Sequence, residues 1–351
     1  MELDAVLSAG GVKGIALIGA LSVFEAEGYT FIRHAGTSAG AIVGGLHAAG
    51  YSGDEMREEW MSVNFRRGLM TEDQTEAERE LETVDERGDG ESASESLGEW
   101  AFRSRADSDL ERRVISTKRL GLFPSTGFAA ILRKLLERKG VRTFRDLRLF
   151  ARPGAQPRYR ITMVGADVTR GRLILLPYDI IHYEGFDSPD DLDVTLAMRI
   201  SMSIPAVFRP VALRQKGTGR VCYLVDGGIL SQFPIAFFET RDVAPRPAIG
   251  FRLHKPENSD SGVRITGMMS LLTACALTAI EAHDAQLADL ENWATRTVRI
   301  SGLDISEINF VLSADQKERL YNEGVSAARA FLSNPESRAY MDHRPGLGYG
   351  I

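Results

Sequence analysis

The chain has 351 residues, of which 44% are hydrophobic, 26% charged and 8% aromatic, proportions of a globular protein that exclude a disordered, collagenous or coiled-coil chain. A formal net charge of -6, with 48 acids against 42 bases and no basic arm, argues against duplex nucleic acid as a partner, because phosphate binding needs clustered cations. Cys222 and Cys275 stand outside any CxxC spacing, which fits a reducing compartment and gives neither a disulfide framework nor a structural zinc site.

The amino end, Met1-Glu2-Leu3-Asp4, lacks the basic n-region and long apolar h-region of a signal peptide. The near-apolar runs Ala39 to Gly50 and Met268 to Ile280 fall short of the roughly 17 residues that span a bilayer and read as buried helices. The expected location is therefore cytoplasmic, peripheral to a membrane at most.

Leu3 to Ser8 reads as a strand ending at Gly10-Gly11, and Ile15 to Glu27 as a helix closed by Gly28. Phe31 to Ala35 repeats the pattern, passing through Gly36-Thr37-Ser38-Ala39-Gly40 into a small-residue helix, Ala41 to Ala49, stopped by Gly50. Two consecutive strand-turn-helix units predict a mostly parallel sheet with right-handed crossovers.

Residues 64–118 read as an insertion. Within it Glu72 to Glu99 holds twelve acids and two bases, Arg79 and Arg87, a local net of -10, with few large apolar residues to offset the entropy of ordering, so a mobile, solvated segment is expected. Asp85, Asp89 and Gly90 outline a calcium loop, but Arg87 occupies the third ligand position and Ser96 stands where the closing glutamate belongs.

Thr126 is placed to cap a helix whose stripe Phe128, Ile131, Leu132, Leu135 and Leu136 is read as core packing. Tyr159 to Ala166 and Leu173 to Leu176 are strands around Thr169-Arg170-Gly171-Arg172, and Leu192 to Ser203 is a helix stopped before Pro205. Val221 to Val225 is a buried strand ending at Asp226-Gly227-Gly228, and Ala248 to Leu253 is another. Residues 254–351 read as a mainly helical part with a strand at Thr297 to Ile300. Without repeats or a linker, residues 1–351 are expected to form one catalytic domain.

Three segments can carry chemistry. Gly36-Thr37-Ser38-Ala39-Gly40 matches G-x-S-x-G between a strand and a helix, the context in which a serine on a sharp turn becomes an exposed nucleophile; a plain glycine turn with a capping serine is the alternative. Gly10-Gly11-Val12-Lys13-Gly14 has neither P-loop nor G-x-G-x-x-G order, so it reads as free backbone N–H groups at a helix amino end that can hold an oxyanion, or as a tight turn only. Both turns lie on the carboxyl edge of a parallel sheet and can converge. Asp226 either caps the turn that follows it or deprotonates Ser38 directly. A triad of Ser38 and Asp226 with His254, His283 or His343 satisfies hydrolase order, but only one strand-helix unit precedes the serine and none of these histidines lies in a glycine-flanked loop. No HExxH and no cysteine cluster is present.

On these residues the chain resembles the patatin-like lipid acyl hydrolases, related to the catalytic domain of cytosolic phospholipase A2. Leu7-Ser8-Ala9-Gly10-Gly11-Val12-Lys13-Gly14 is similar to the family's oxyanion block, Gly36 to Gly40 to its nucleophile elbow, and Asp226-Gly227-Gly228 to its dyad aspartate segment. Ser201-Met202-Ser203-Ile204-Pro205-Ala206-Val207-Phe208 is similar to a further block. The resemblance covers about Leu3 to Leu253 and implies a three-layer α/β/α fold, a Ser38 nucleophile, an Asp226 base and oxyanion amides from Gly10, Gly11 and Val12. Lys13, Gly14, Gly36, Gly40, Gly227 and Gly228 would support them. Ala9 replaces the usual first glycine, and Ser231 and Gln232 stand where asparagine is usual ahead of Pro234.

The expectation is a metal-free and cofactor-free serine hydrolase that cleaves acyl esters of phospholipids or lysophospholipids, with transient membrane contact. A thioesterase or acyltransferase on the same dyad, or a silent lipid-binding module, is the alternative. Lys13 either attracts a lipid phosphate or, as surface lysines more often do, pairs with a nearby acid.

Overall fold

The computed structural model describes residues 1–63, 65–69, 120–149, 158–235, 237, 246–254, 265–268, 270–275, 278, 295–301 and 305–342. The acidic run Glu72 to Glu99, its calcium outline, His283 and His343 lie outside the described residues. In chain order the elements are β1 (Glu2–Leu7), α1 (Gly14–Ala26), β2 (Thr30–Thr37), α2 (Ala39–Ala48), α3 (Gly53–Ser62), α4 (Phe65–Gly68), β3 (Gly121–Phe123), α5 (Thr126–Arg138), β4 (Arg148–Leu149) and β5 (Arg158–Tyr159). There follow β6 (Ile161–Asp167), β7 (Arg172–Leu176), α6 (Val194–Ser201), β8 (Ala206–Phe208), β9 (Val211–Arg214), β10 (Val221–Asp226), β11 (Ala248–His254), β12 (Thr297–Ser301), α7 (Ala314–Ser333) and α8 (Pro335–Asp342).

The central sheet runs β12-β11-β1-β2-β6-β10-β9, with β7 on the free edge of β6. β12, β11, β1, β2 and β6 are parallel, whereas β7, β9 and β10 pair antiparallel. β1 shows no polar and apolar alternation because both faces are covered. Leu3, Ala5 and Leu7 join the large apolar cluster with α1 and α2. Val6 turns to the other face, where Ala35 and Ala248 meet Phe233 and Ile235.

Helix ends follow local chemistry. Ser52 with Glu55, and Ser313 with Gln316, form capping boxes for α3 and α7. Thr126, expected as a cap, is instead the first residue of α5; Ser125 precedes it, and its hydroxyl accepts from Arg199 Nε at 2.8 Å rather than from the helix. Phe65 and Leu69, inside the stretch read as an insertion, are buried in the main cluster. Helix α1 is apolar all round because α7 covers its outer side. Gly324 is what permits this approach, since a Cβ there would overlap the carbonyl of Ala16.

One edge of β6 positions the site. Ile161 to Val164 pair with His34 to Thr37 of β2, and from Gly165 onward the same edge pairs with β10, Gly165 opposite Asp226. Because β2 and β10 run in opposite directions along that edge, their carboxyl ends meet head-on between Val164 and Gly165.

A buried polar chain ties β2 to α2 and α1. His34 Nδ1 donates to the carbonyl of Arg160 at 3.0 Å, so its Nε2 accepts from His47 Nδ1 at 2.8 Å. His47 Nε2 lies 2.9 Å from Glu25 Oε1, and the Gly53 N–H donates to Glu25 Oε2 at 2.7 Å. Burial, reinforced by the neighbouring His47, holds the His34 pKa well below its ordinary value. The unfolded chain therefore takes up a proton below about pH 6.5 that the folded chain refuses, and stability is lost as pH falls through that range, by up to about 1.4 kcal/mol per pH unit. Asp226, whose raised pKa works in the opposite direction, is common to both proteins in a comparison with His34→Gln, so urea unfolding from pH 7.5 to pH 5 should show the parent losing stability relative to that variant.

Candidate active site

Ser38 occupies the single residue between β2 and α2, with φ 54 and ψ -117, a left-handed conformation that costs a non-glycine residue. Two hydrogen bonds offset the strain. The Ser38 N–H donates to Ser201 Oγ at 2.9 Å, and the Ser201 hydroxyl donates to the Val164 carbonyl at 2.6 Å. Glycine is needed at position 40, where a Cβ would strike the carbonyl of Leu7, and Gly36 packs against the Gly40 backbone. The spacing of the motif thus records how closely α2 starts against the end of β1.

Asp226 ends β10 and is 1% exposed. Its N–H donates to the Ser203 carbonyl at 2.9 Å, and its Oδ1 accepts from the Gly228 N–H at 2.8 Å, capping a short turn over Gly227 to Ile229. Oδ2 is buried, and no bond of full hydrogen-bonding geometry reaches it among the described residues. Burial pushes the carboxyl pKa up to about 7; the nearby Ser38 hydroxyl and the Gly228 N–H pull it down, and the charge of Glu307 pushes it up. A carboxylate half-ionised near neutrality is matched to taking and returning a proton.

The glycine loop faces this pair. Gly11 adopts φ 54, and a Cβ on it would overlap the Glu307 carbonyl. The Ala9 N–H donates to the Gln232 carbonyl at 2.9 Å and the Lys13 N–H to that of Gly10 at 3.1 Å. Val12, expected among the oxyanion amides, is a correction: its N–H donates to the Glu307 carbonyl at 3.1 Å and is spent. Gly10 and Gly11 N–H groups meet no backbone acceptor among the described residues. Lys13 is 2% exposed with Nζ 3.6 Å from Glu307 Oε1, so it pairs with an acid and offers no open phosphate site. Gly14 opens α1 against Ala39.

A pocket opens beside Ser38. Its walls are mostly apolar, built by Val12, Ile42, Val63, Phe65, Met202, Ile204, Phe208 and Phe310 together with Phe128, Ile131 and Leu132 of α5, with Ser38 and Trp60 among the lining residues. The stripe of α5, read as core packing alone, divides: Leu135 and Leu136 are buried in the core, and its first half lines the pocket. Ser38 and Gly11 thus line an apolar pocket, and the buried Asp226 carboxylate lies near the Ser38 hydroxyl, an arrangement suited to acyl transfer.

The model of the family described as patatin-like phospholipase matches residues 5–238. The chain belongs to the patatin-like phospholipase family. Membership places it among lipid-acting hydrolases. The uncharacterized protein YqhO of Bacillus subtilis (strain 168) is 32% identical over 333 residues, covering 95% of this chain and 98% of that protein. The uncharacterized NTE family protein Rv1063c of Mycobacterium tuberculosis (strain ATCC 25618 / H37Rv) is 48% identical over 44 residues, 12% of each chain. Among solved structures, VipD from Legionella pneumophila aligns with a TM-score of 0.48 and 14% identity over 94% of this chain and 66% of its own. The type III effector ExoU aligns at 0.43 and 17%, over 95% of this chain and 53% of its own.

Several neighbours of the site carry no sequence signal of their role. Ser201 and Ser203 lie in a quoted block but only the fold shows that one holds Ser38 and the other Asp226. Glu307 stands in no motif. Ser231 and Gln232, the departures ahead of Pro234, act through their carbonyls: Ser231 accepts from Thr37 Oγ1 at 3.0 Å and Gln232 from the Ala9 N–H. His254 ends β11, separated from β2 by β1.

Removing the Ser201 hydroxyl leaves the Ser38 N–H buried without an acceptor, a loss worth about 1–3 kcal/mol. Ser201→Ala should therefore lower ester hydrolysis by about tenfold or more with little change in KM, while near-UV circular dichroism stays native.

Proposed function

We propose that this protein is a serine lipid acyl hydrolase that cleaves acyl esters of phospholipids or lysophospholipids with Ser38 and Asp226 alone. The observation that carries the proposal is the pocket, which Ser38 lines together with mostly apolar side chains, a setting that suits a hydrocarbon chain. An acyl chain in the pocket brings its ester carbonyl to Ser38. The Ser38 oxygen attacks that carbon as Asp226 takes the hydroxyl proton, and the N–H groups of Gly10 and Gly11 receive the oxyanion. Collapse of the tetrahedral intermediate breaks the ester bond, and Asp226 returns the proton to the leaving alkoxide. Water, deprotonated by Asp226, then attacks the acyl carbon; the bond to the Ser38 oxygen breaks, Asp226 returns the proton to that oxygen, and the fatty acid leaves. The membrane surface that presents the phospholipid is the partner this reaction needs.

The assay is fatty-acid release from phosphatidylcholine and lysophosphatidylcholine vesicles beside acyl-CoA and nitrophenyl esters; preference for acyl-CoA would make the protein a thioesterase, and transfer to an added alcohol acceptor an acyltransferase. Ser38→Ala and Asp226→Asn should each abolish release, to a similar extent because the two groups act as one unit. Gln at His254, His283 and His343, singly or together, should keep activity within a few-fold, whereas a triad would lose about a thousand-fold or more. Since the base works ionised, kcat/KM should rise with pH around a midpoint near 7, the value to which burial pushes Asp226. Full turnover by a folded Ser38→Ala protein would refute the assignment.

A further inference from the structure

Lys317 of α7 is a buried cation whose hydrogen bonds go to main-chain carbonyls. It is 7% exposed, and its Nζ donates to three acceptors at the end of α3: the carbonyls of Trp60 at 3.2 Å, Met61 at 3.0 Å and Val63 at 2.8 Å. The last carbonyls of a helix have no partner within it and form the negative end of its dipole, and an ammonium has three N–H donors to give them. The chain leaves α3 at Val63 in extended backbone, φ -68 and ψ 125, and turns to Phe65, whose ring centroid lies 5.1 Å from the same Nζ. One nitrogen thus sets where α3 stops and how the chain departs from it.

The residues it holds are pocket wall. Trp60, Val63 and Phe65 line the pocket beside Ser38. The Phe65 ring stands 6.5 Å from that of Trp60 and 6.3 Å from that of Phe128, which meets Phe310 at 5.9 Å. We propose that Lys317 is a positioning residue that fixes this wall and thereby sets the preference of the pocket for long acyl chains over short ones. The inference rests on the reading of Ser38 and Asp226 as an acyl hydrolase and adds a determinant of its substrate. A short acyl group leaves most of the wall uncovered. A long one buries its methylene groups against it, so only the long one gains from a wall held in one place. A second tie keeps the two helices docked: Arg57 of α3 donates to both carboxylate oxygens of Glu318 at 2.8 and 3.1 Å, and its guanidinium lies 4.7 Å from the centroid of the Tyr321 ring. Loss of the Lys317 amine therefore frees the end of α3 while α3 stays on α7.

The test compares nitrophenyl acetate with nitrophenyl decanoate. Lys317→Met keeps the apolar stem and removes all three donors, so the decanoate-to-acetate ratio of kcat/KM should fall by about tenfold, roughly what two buried methylene groups contribute. The loss should lie in KM for the decanoate rather than in kcat, because the wall binds the chain and takes no part in the chemistry. A role confined to stability would lower turnover of both esters alike and leave the ratio where it was. Lys317→Gln, which keeps an amide donor, should give a smaller fall in the same direction and serves should the Met variant not fold. Val63→Ala trims the wall directly and should lower the ratio as well. A ratio that holds or rises in a folded Lys317→Met, Lys317→Gln or Val63→Ala protein overturns the proposal. Ser38→Ala would still lose both esters in that case, so failure here is distinct from failure of the hydrolase reading.

Discussion

The site depends on one strand edge being shared. β6 offers β2 a parallel partner up to Val164 and β10 an antiparallel one from Gly165. Two strands that approach from opposite directions along the same edge must both stop, and the two chain ends that stop there carry Ser38 and Asp226. Neither side chain has to reach far, because the sheet's hydrogen-bond register fixes their separation before any side-chain contact forms. The tight turn at Ser38, the cap at Asp226 and the serines of the 201–203 segment then refine a meeting that the backbone has already arranged.

This explains which parts were legible in the sequence. The two opening strand-turn-helix units, the elbow around Ser38 and the strand leading to Asp226 carry local signals in glycine spacing and hydrophobic runs, and the elements stand within a few residues of where those signals put them. The antiparallel entry of β10 had no such signal, because a buried strand reads the same in either direction. The roles of Ser201, Ser203 and Glu307 were equally hidden, since each depends on contacts across a long stretch of chain. The amide of Val12 was misassigned for the same reason: a motif marks which backbone groups come near a site, but a distant carbonyl decides which of them remain free.

Much of the wiring is main-chain. Ser231 and Gln232 contribute carbonyl oxygens to Thr37 and Ala9, acceptors that belong to the backbone. Elsewhere a side chain is the partner, as at Ser201, or its absence is required, as at Gly40.

The outer cover of α1 comes from α7, and the carbonyl that engages the glycine loop comes from residue 307. A chain emerging from the ribosome therefore presents its serine, its aspartate and its glycines long before the part that locks them has been made. Because domains are synthesised from the amino end over many seconds, the glycine loop stays without its Glu307 partner for much of synthesis. The packing that seats the loop and covers α1 is thus acquired later than the residues it holds.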